Sequence, residues 1–291
     1  MTATQRFLVL ATFALAAALA LVACAPLGTL NALARSDTYK ATRDVAYGPL
    51  ARQKLDVYAP VGAAPASGWP VVVFLYGGSW NSGERADYRF MGEALASRGV
   101  LVLVADYRLY PEVRYPSFLE DSARALAWGL EHAKQLGGDP HRVFVMGHSA
   151  GGYNAAMLAL DARWLASVGH RPCELAGWIG LAGAYEFLPL GPDSPARPVF
   201  FHPDYPPRTQ PIDDVTRDSP KAFLAAPIDD KVVSPQRSTL AMAAKLRAAG
   251  VPVELHLYDG ITHSLLAGVF ARPLRGLAPA RDDVSTWINA N

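Results

Sequence analysis

Apolar and polar positions follow two rhythms along most of this chain. Residues 54–58 (Lys-Leu-Asp-Val-Tyr) alternate with period two, as a half-buried strand does. Residues 71–75 (Val-Val-Val-Phe-Leu) and 100–105 are continuous apolar runs, the pattern of strands covered on both faces. Further strands are predicted at 143–146, 177–181, 223–226 and 253–258. Between them, helices are predicted over 88–98, 118–135 and 236–249, the first ended by Gly99 and the second by Gly137-Gly138. Strands alternating with helices predict an α/β fold, a doubly wound and mostly parallel sheet with helices on both faces. The 291 residues suffice for one such domain, and no internal repeat interrupts it.

Two stretches break the rhythm. Residues 189–220 contain nine prolines interleaved with Phe200, Phe201, His202 and Tyr205. Proline suppresses helix and strand, so this stretch reads as a lid-like insertion or as a structural surface loop. At the other end, an apolar run of 17 residues from Phe7 to Ala23 follows Arg6 and is broken only by Thr12. It ends in Leu21-Val22-Ala23-Cys24, which resembles the lipobox of bacterial lipoprotein signal peptides. That resemblance implies cleavage before Cys24, lipidation of its thiol and an exported domain. Ala25, in place of Asp, leans toward the outer membrane on its periplasmic face. An uncleaved N-terminal anchor helix is the other reading. Residues 24–38 are unperiodic and read as a tether, with the main domain over 39–291.

Composition removes several classes of function. Lys plus Arg is 27 against 26 for Asp plus Glu, a net of +1, so no basic field is present to hold nucleic acid. Two cysteines, Cys24 and Cys173, make neither a disulfide framework nor a thiolate metal site. No metal and no cofactor are expected.

The chemistry concentrates at Gly147-His148-Ser149-Ala150-Gly151. This G-x-S-x-G pentapeptide lies between a predicted strand and a helix-like run of small residues, the setting in which a sharp turn exposes a nucleophilic serine. A serine hydroxyl needs a base, usually a histidine oriented by a carboxylate. In parallel-sheet hydrolases the chain order is Ser, acid, His, which removes His132, His141 and His148 as bases. His170 and His202 lie in loops, and His256 alternates with apolar residues on a strand. His263 follows the Asp259-Gly260 turn after the last predicted strand and is the favoured base. For the acid, Asp229 and Asp230 both fit the loop after residues 223–226, with Asp259 a weaker rival. The oxyanion needs backbone donors: Ala150 directly after the nucleophile, and Gly77 and Gly78 in the loop Tyr76-Gly77-Gly78-Ser79-Trp80.

Together these residues resemble the α/β-hydrolase superfamily. The likeness is greatest to its carboxylesterase branch, with hormone-sensitive-lipase-like, feruloyl-esterase-like and kynurenine-formamidase-like members. It runs through Gln53 to Tyr58, the Gly-Gly-x-Trp loop ending at Trp80, Asp106-Tyr107-Arg108-Leu109, Gly138-Asp139-Pro140 and Gly147 to Gly152. Near the C-terminus, Asp230-x-Val232-Val233 with Ser238 matches the family's acid loop, and His263-Ser264 its histidine loop. This register selects Asp230 over Asp229. The likeness also implies that Asp106 and Arg108 form a structural charge pair. Two positions depart from the family: Tyr76 stands where it has His, and Pro227 where it has Gly.

The resemblance implies a Ser149–His263–Asp230 hydrolase acting on short-chain acyl or aryl esters, small-molecule substrates met at a membrane surface. An arylformamidase would use the same triad. A lipoprotein that keeps the fold as a non-catalytic scaffold is a third reading, and an appended-domain peptidase a weaker one.

Overall fold

The structure is a computed structural model and describes residues 26–291. Its centre is an eight-stranded sheet in the order β1-β2-β4-β3-β5-β6-β7-β8. The strands are β1 (Tyr39–Ala46), β2 (Lys54–Pro60), β3 (Trp69–Leu75), β4 (Leu101–Ala105), β5 (Gly138–His148), β6 (Gly177–Leu181), β7 (Ala222–Pro227) and β8 (Val253–Tyr258). The pairs β1–β2 and β2–β4 are antiparallel and all others parallel. β3, β4 and β6 are buried residue after residue, because helices cover both faces and only apolar side chains meet no desolvation cost there.

Strand alternation decides which helix each residue meets. Phe144 of β5 and Phe223 of β7 reach the indole of Trp287 on α8 (Ala280–Ala290), with ring centroids 5.6 and 5.9 Å apart. On the opposite face Val73 of β3 packs beneath Gly129 of α3 (Ser117–His132). α2 (Arg89–Ala96) lies over β2, α4 (Ala150–Leu160) follows β5 directly, α5 (Ala162–Ala166) comes next in the chain and α6 (Ala241–Ala248) precedes β8. The doubly wound sheet predicted from the sequence is the architecture observed.

Three features differ from the sequence expectation. Residues 24–38 are expected as a tether, yet Pro26–Ala32 form a helix, α1, docked on the body. Asn31 holds it there: its Nδ2 donates to the Ala86 carbonyl at 2.7 Å, and its Oδ1 accepts from the Phe90 amide at 3.1 Å. Leu27 and Leu30 pack against the core. Seven residues are too few to display a helical period. Second, β1 has no counterpart in the pattern, because it is an edge strand with nearly every side chain exposed. Third, residues 189–220, read from the sequence as a lid-like insertion or a surface loop, send part of their length into the core. Phe200 is fully buried, its ring centroid 4.8 Å from Trp80 and 5.6 Å from Tyr153. The Arg208 carbonyl accepts from Arg163 and Tyr115, and its guanidinium reaches Asp214 and Asp161. Phe201 is exposed at the surface of this segment.

Cys24 and the apolar run before it lie outside the described residues. Among the described residues no helix is long and apolar enough to cross a membrane.

Gly92 shows how closely α2 lies on β2. A Cβ at this position would come within 2.5 Å of the Tyr58 ring. Helix propensity alone favours alanine over glycine by about 1 kcal/mol, whereas forced overlap in a packed core costs about 1–3 kcal/mol. Gly92→Ala should therefore lower the urea unfolding midpoint at constant m-value. A variant as stable as the parent would contradict this packing.

Candidate active site

β5 and α4 meet in a turn that leaves no room for side chains on either flank. A Cβ on Gly147 would lie 2.0 Å from the Gly151 carbonyl oxygen, and one on Gly151 2.0 Å from the Leu75 carbonyl oxygen. Ser149 sits between them with φ 55° and ψ −119°, a backbone state that residues bearing a side chain seldom adopt. Its N–H donates to the Leu181 carbonyl at 2.9 Å, which ties the turn to the end of β6. The hydroxyl therefore stands at the tip of the turn, half-buried.

His263 opens α7 (His263–Gly268), whose N-cap, Thr262, accepts from the Leu265 amide. Its Nδ1 lies 2.6 Å from Asp230 Oδ2. The other carboxylate oxygen of Asp230 accepts from the amides of Val232 (2.8 Å) and Val233 (3.1 Å). Burial pushes the Asp230 carboxyl up, but the hydrogen bond and charge of His263 and these two amides outweigh it and hold the group below its ordinary value. An ionised carboxylate only accepts, so Nδ1 carries the proton. Nε2 is buried and has no hydrogen-bond partner within the protein. A neutral imidazole in this tautomer presents a bare acceptor there.

The rival acids lie elsewhere. Asp229 is exposed and pairs with Lys231, while Asp259 accepts from the amide of its neighbour Gly260. Of the other histidines, His170 joins Glu174 and Glu131, His202 joins Tyr205, and His256 joins Glu254. Among the described residues no group of His, Cys, Asp and Glu is arranged to hold a metal ion.

His148 is the residue that reasoning from chain order passes over. It is buried beneath His263, with ring centroids 4.9 Å apart and its Nε2 2.9 Å from the His263 carbonyl oxygen. Desolvation, reinforced by the neighbouring imidazole, pushes it down to about 3, so it is neutral at working pH. The x of G-x-S-x-G carries no rule that would have singled it out.

The glycine loop rests on a charged network. Arg85 pairs with Asp106, Asp56 and Asp44, and its amide donates to Asp106 at 2.7 Å. Tyr76 donates to Asp106 Oδ1 at 2.9 Å and accepts from Arg52 at 3.0 Å, its ring stacked between Tyr107 and Tyr88. The expected Asp106–Arg108 pair does not form. Arg108 instead makes a two-pronged contact with the buried Asp121 at 2.7 and 2.9 Å, a planar fork on a planar carboxylate, while Asp106 is engaged by Arg85. Within the loop, Gly77 is kept bare by Ser149 Cβ and His148 Nδ1, each 3.0 Å from where its Cβ would be, and its backbone lies against the Tyr88 hydroxyl. Gly78 has φ 128°, and a Cβ there would strike the Ser82 carbonyl. Ala150 begins α4 directly after the serine.

Two family models match the chain. The BD-FAE model covers residues 55–167, and that of the prolyl oligopeptidase family covers 121–272, just over half of the chain. The isoprenylcysteine alpha-carbonyl methylesterase of Arabidopsis thaliana is 28% identical over 269 residues, 85% of this chain and 62% of that protein. A carboxylesterase of Mycobacterium tuberculosis is 41% identical over 123 residues, 42% of this chain and 38% of that one. The chain spans between 52% and 60% of the length of three further plant relatives. Among solved structures, esterase B from Lactobacillus rhamnosis superposes with a TM-score of 0.74 at 20% identity, covering 96% of each chain, a likeness of fold. The sequence places the chain in the prolyl oligopeptidase family, and its fold is that of an α/β-hydrolase.

Proposed function

We propose that this protein is a serine carboxylesterase that cleaves short-chain acyl or aryl esters through an acyl-enzyme, with Ser149, His263 and Asp230 as the acting residues. The observation that carries this reading is the His263 imidazole, held at Nδ1 by a buried carboxylate and left bare at Nε2. Ser149 Oγ attacks the ester carbonyl while its proton passes to Nε2. The Asp230 carboxylate stabilises the imidazolium that forms. The amides of Gly77, Gly78 and Ala150 receive the oxyanion, and the missing side chain at Gly77 leaves the clearance in which Ser149 sits. The alcohol leaves with the proton from Nε2, and water then cleaves the acyl-enzyme by the same steps in reverse order.

The relatives named above are esterases, which favours an ester over a formamide substrate. The strained Ser149 backbone favours catalysis over a scaffold role, since strain of this kind persists where function demands it. The same reading extends to location. With Cys24 lipidated and residues 1–23 removed, the domain works outside the cytoplasm at a membrane surface.

With p-nitrophenyl butyrate, Ser149→Ala should lower kcat by about 10⁴–10⁶-fold. Asp230→Asn should cost about 10⁴-fold, through the wrong imidazole tautomer. Asp229→Asn should leave the rate unchanged. Equal rates for Ser149→Ala and the parent would overturn the assignment.

Because folding lowers the Asp230 carboxyl, its stabilisation is present above the unfolded value of about 3.9 and is lost as pH falls through the folded one. The stability gap between the parent and Asp230→Asn should therefore be constant near neutrality and narrow below about pH 4. A gap that widens on acidification would contradict the assignment.

Anchoring predicts that the parent partitions with membranes in a bacterial host and that Cys24→Ser does not carry the lipid. Metabolic labelling with a fatty-acid probe should mark the parent alone; label on both, or on neither, would dismiss Cys24.

A further inference from the structure

We infer that His148 is a positioning residue, which sets the place of the His263 imidazole above Ser149 by donating a hydrogen bond from Nε2 to the His263 main-chain carbonyl. This rests on the proposed roles of Ser149 and His263. It concerns what keeps them in register.

The two residues arrive by separate routes. Ser149 is set by the elbow after β5, whereas His263 lies after β8, three strands away in the sheet. Asp230 fixes the rotation of the imidazole, but its loop follows β7 and its carboxylate bonds His263 and the amides of Val232 and Val233. His148 makes the direct link, because it is covalently next to Ser149 and bonds His263 at 2.9 Å. The contact reaches the backbone of His263 rather than its ring. It therefore locates the Cα from which the imidazole swings and leaves Nε2 available.

Protonation chemistry supports the same assignment. A carbonyl accepts only, so His148 Nε2 carries the hydrogen and Nδ1 is bare. Burial keeps the ring neutral, so it places no charge beside the imidazolium that forms during turnover. Nδ1 is turned toward the glycine loop, 3.0 Å from the point a Gly77 side chain would occupy. One imidazole thus abuts three loops: the one carrying the serine, the one carrying the histidine and the one carrying the oxyanion amides. A displacement of about 1 Å between reacting groups can cost about 10²-fold in rate.

A matched pair of variants separates donation from packing. Gln and Met are similar in length and volume, but only Gln carries an N–H donor. His148→Met should lower kcat about 10–100-fold with KM and melting temperature close to the parent. His148→Gln should recover most of that loss. Labelling of Ser149 by a fluorophosphonate should slow in the same order. Equal losses in the two variants, full activity in His148→Met, or a loss that tracks melting temperature would each assign His148 to packing alone and overturn the inference. Ser149→Ala, measured alongside, keeps the two readings apart: its activity tests the triad, whatever the Gln–Met pair shows.

Discussion

The structure depends on backbone meeting backbone where Gly147, Gly151 and Leu75 converge. With no Cβ at 147 or 151, α4 starts against the ends of β3 and β5 rather than a side chain's width away. The pairings Leu75↔Gly147, Gly147↔Gly180 and His148↔Leu181 bring three strands to a common edge at this point. Each continues into a loop that serves the site: the glycine loop from β3, the elbow from β5, and residues 182–185 from β6. The carboxyl edge of an open parallel sheet is where such loops can gather. Without that contact the serine has no strained perch and the glycine loop no fixed neighbour.

A second layer holds the loops from below. Ser238 Oγ donates to the Gly183 carbonyl at 2.8 Å and accepts from the Tyr185 amide at 2.5 Å, which steadies the loop beside Ser149. Beneath the glycine loop, Arg85 gathers three carboxylates while Tyr76 is sandwiched between two other tyrosines. Removing one member of such a buried set leaves its partners uncompensated, so the network resists piecemeal change. Tyr76, one of the two positions that depart from the resemblance, is thereby a structural side chain here. Its hydroxyl is bonded to Asp106.

Much of this was legible in the sequence where one physical effect dominates. β6 and β8 coincide with the strands predicted at 177–181 and 253–258. The fully buried strands leave long aliphatic stretches, and the elbow leaves its glycines. β1 could not be read because an exposed edge strand obeys no burial pattern. Asp229 and Asp230 are equivalent by composition, and only the resemblance to the family's acid loop separated them; in the fold one carboxylate is buried and the other solvated. The partner of Arg108 was misread because proximity in sequence to Asp106 says nothing about which carboxylate its fork can face. His148 was legible as a residue type but not as a contact, since its partner is a carbonyl 115 residues away.

The docking of α1 changes how an attached anchor would behave. Two residues from Cys24 bring the chain to Pro26, a reach of at most about 7 Å, and from there the helix is clasped through Asn31 to the segment that follows the glycine loop. A lipid at Cys24 would thus be on a very short leash. The enzyme could not roam a wide hemisphere above the bilayer in search of dissolved esters. On the lipidation proposed above it would stay close to the headgroup layer, where esters that partition to that plane are the ones it meets.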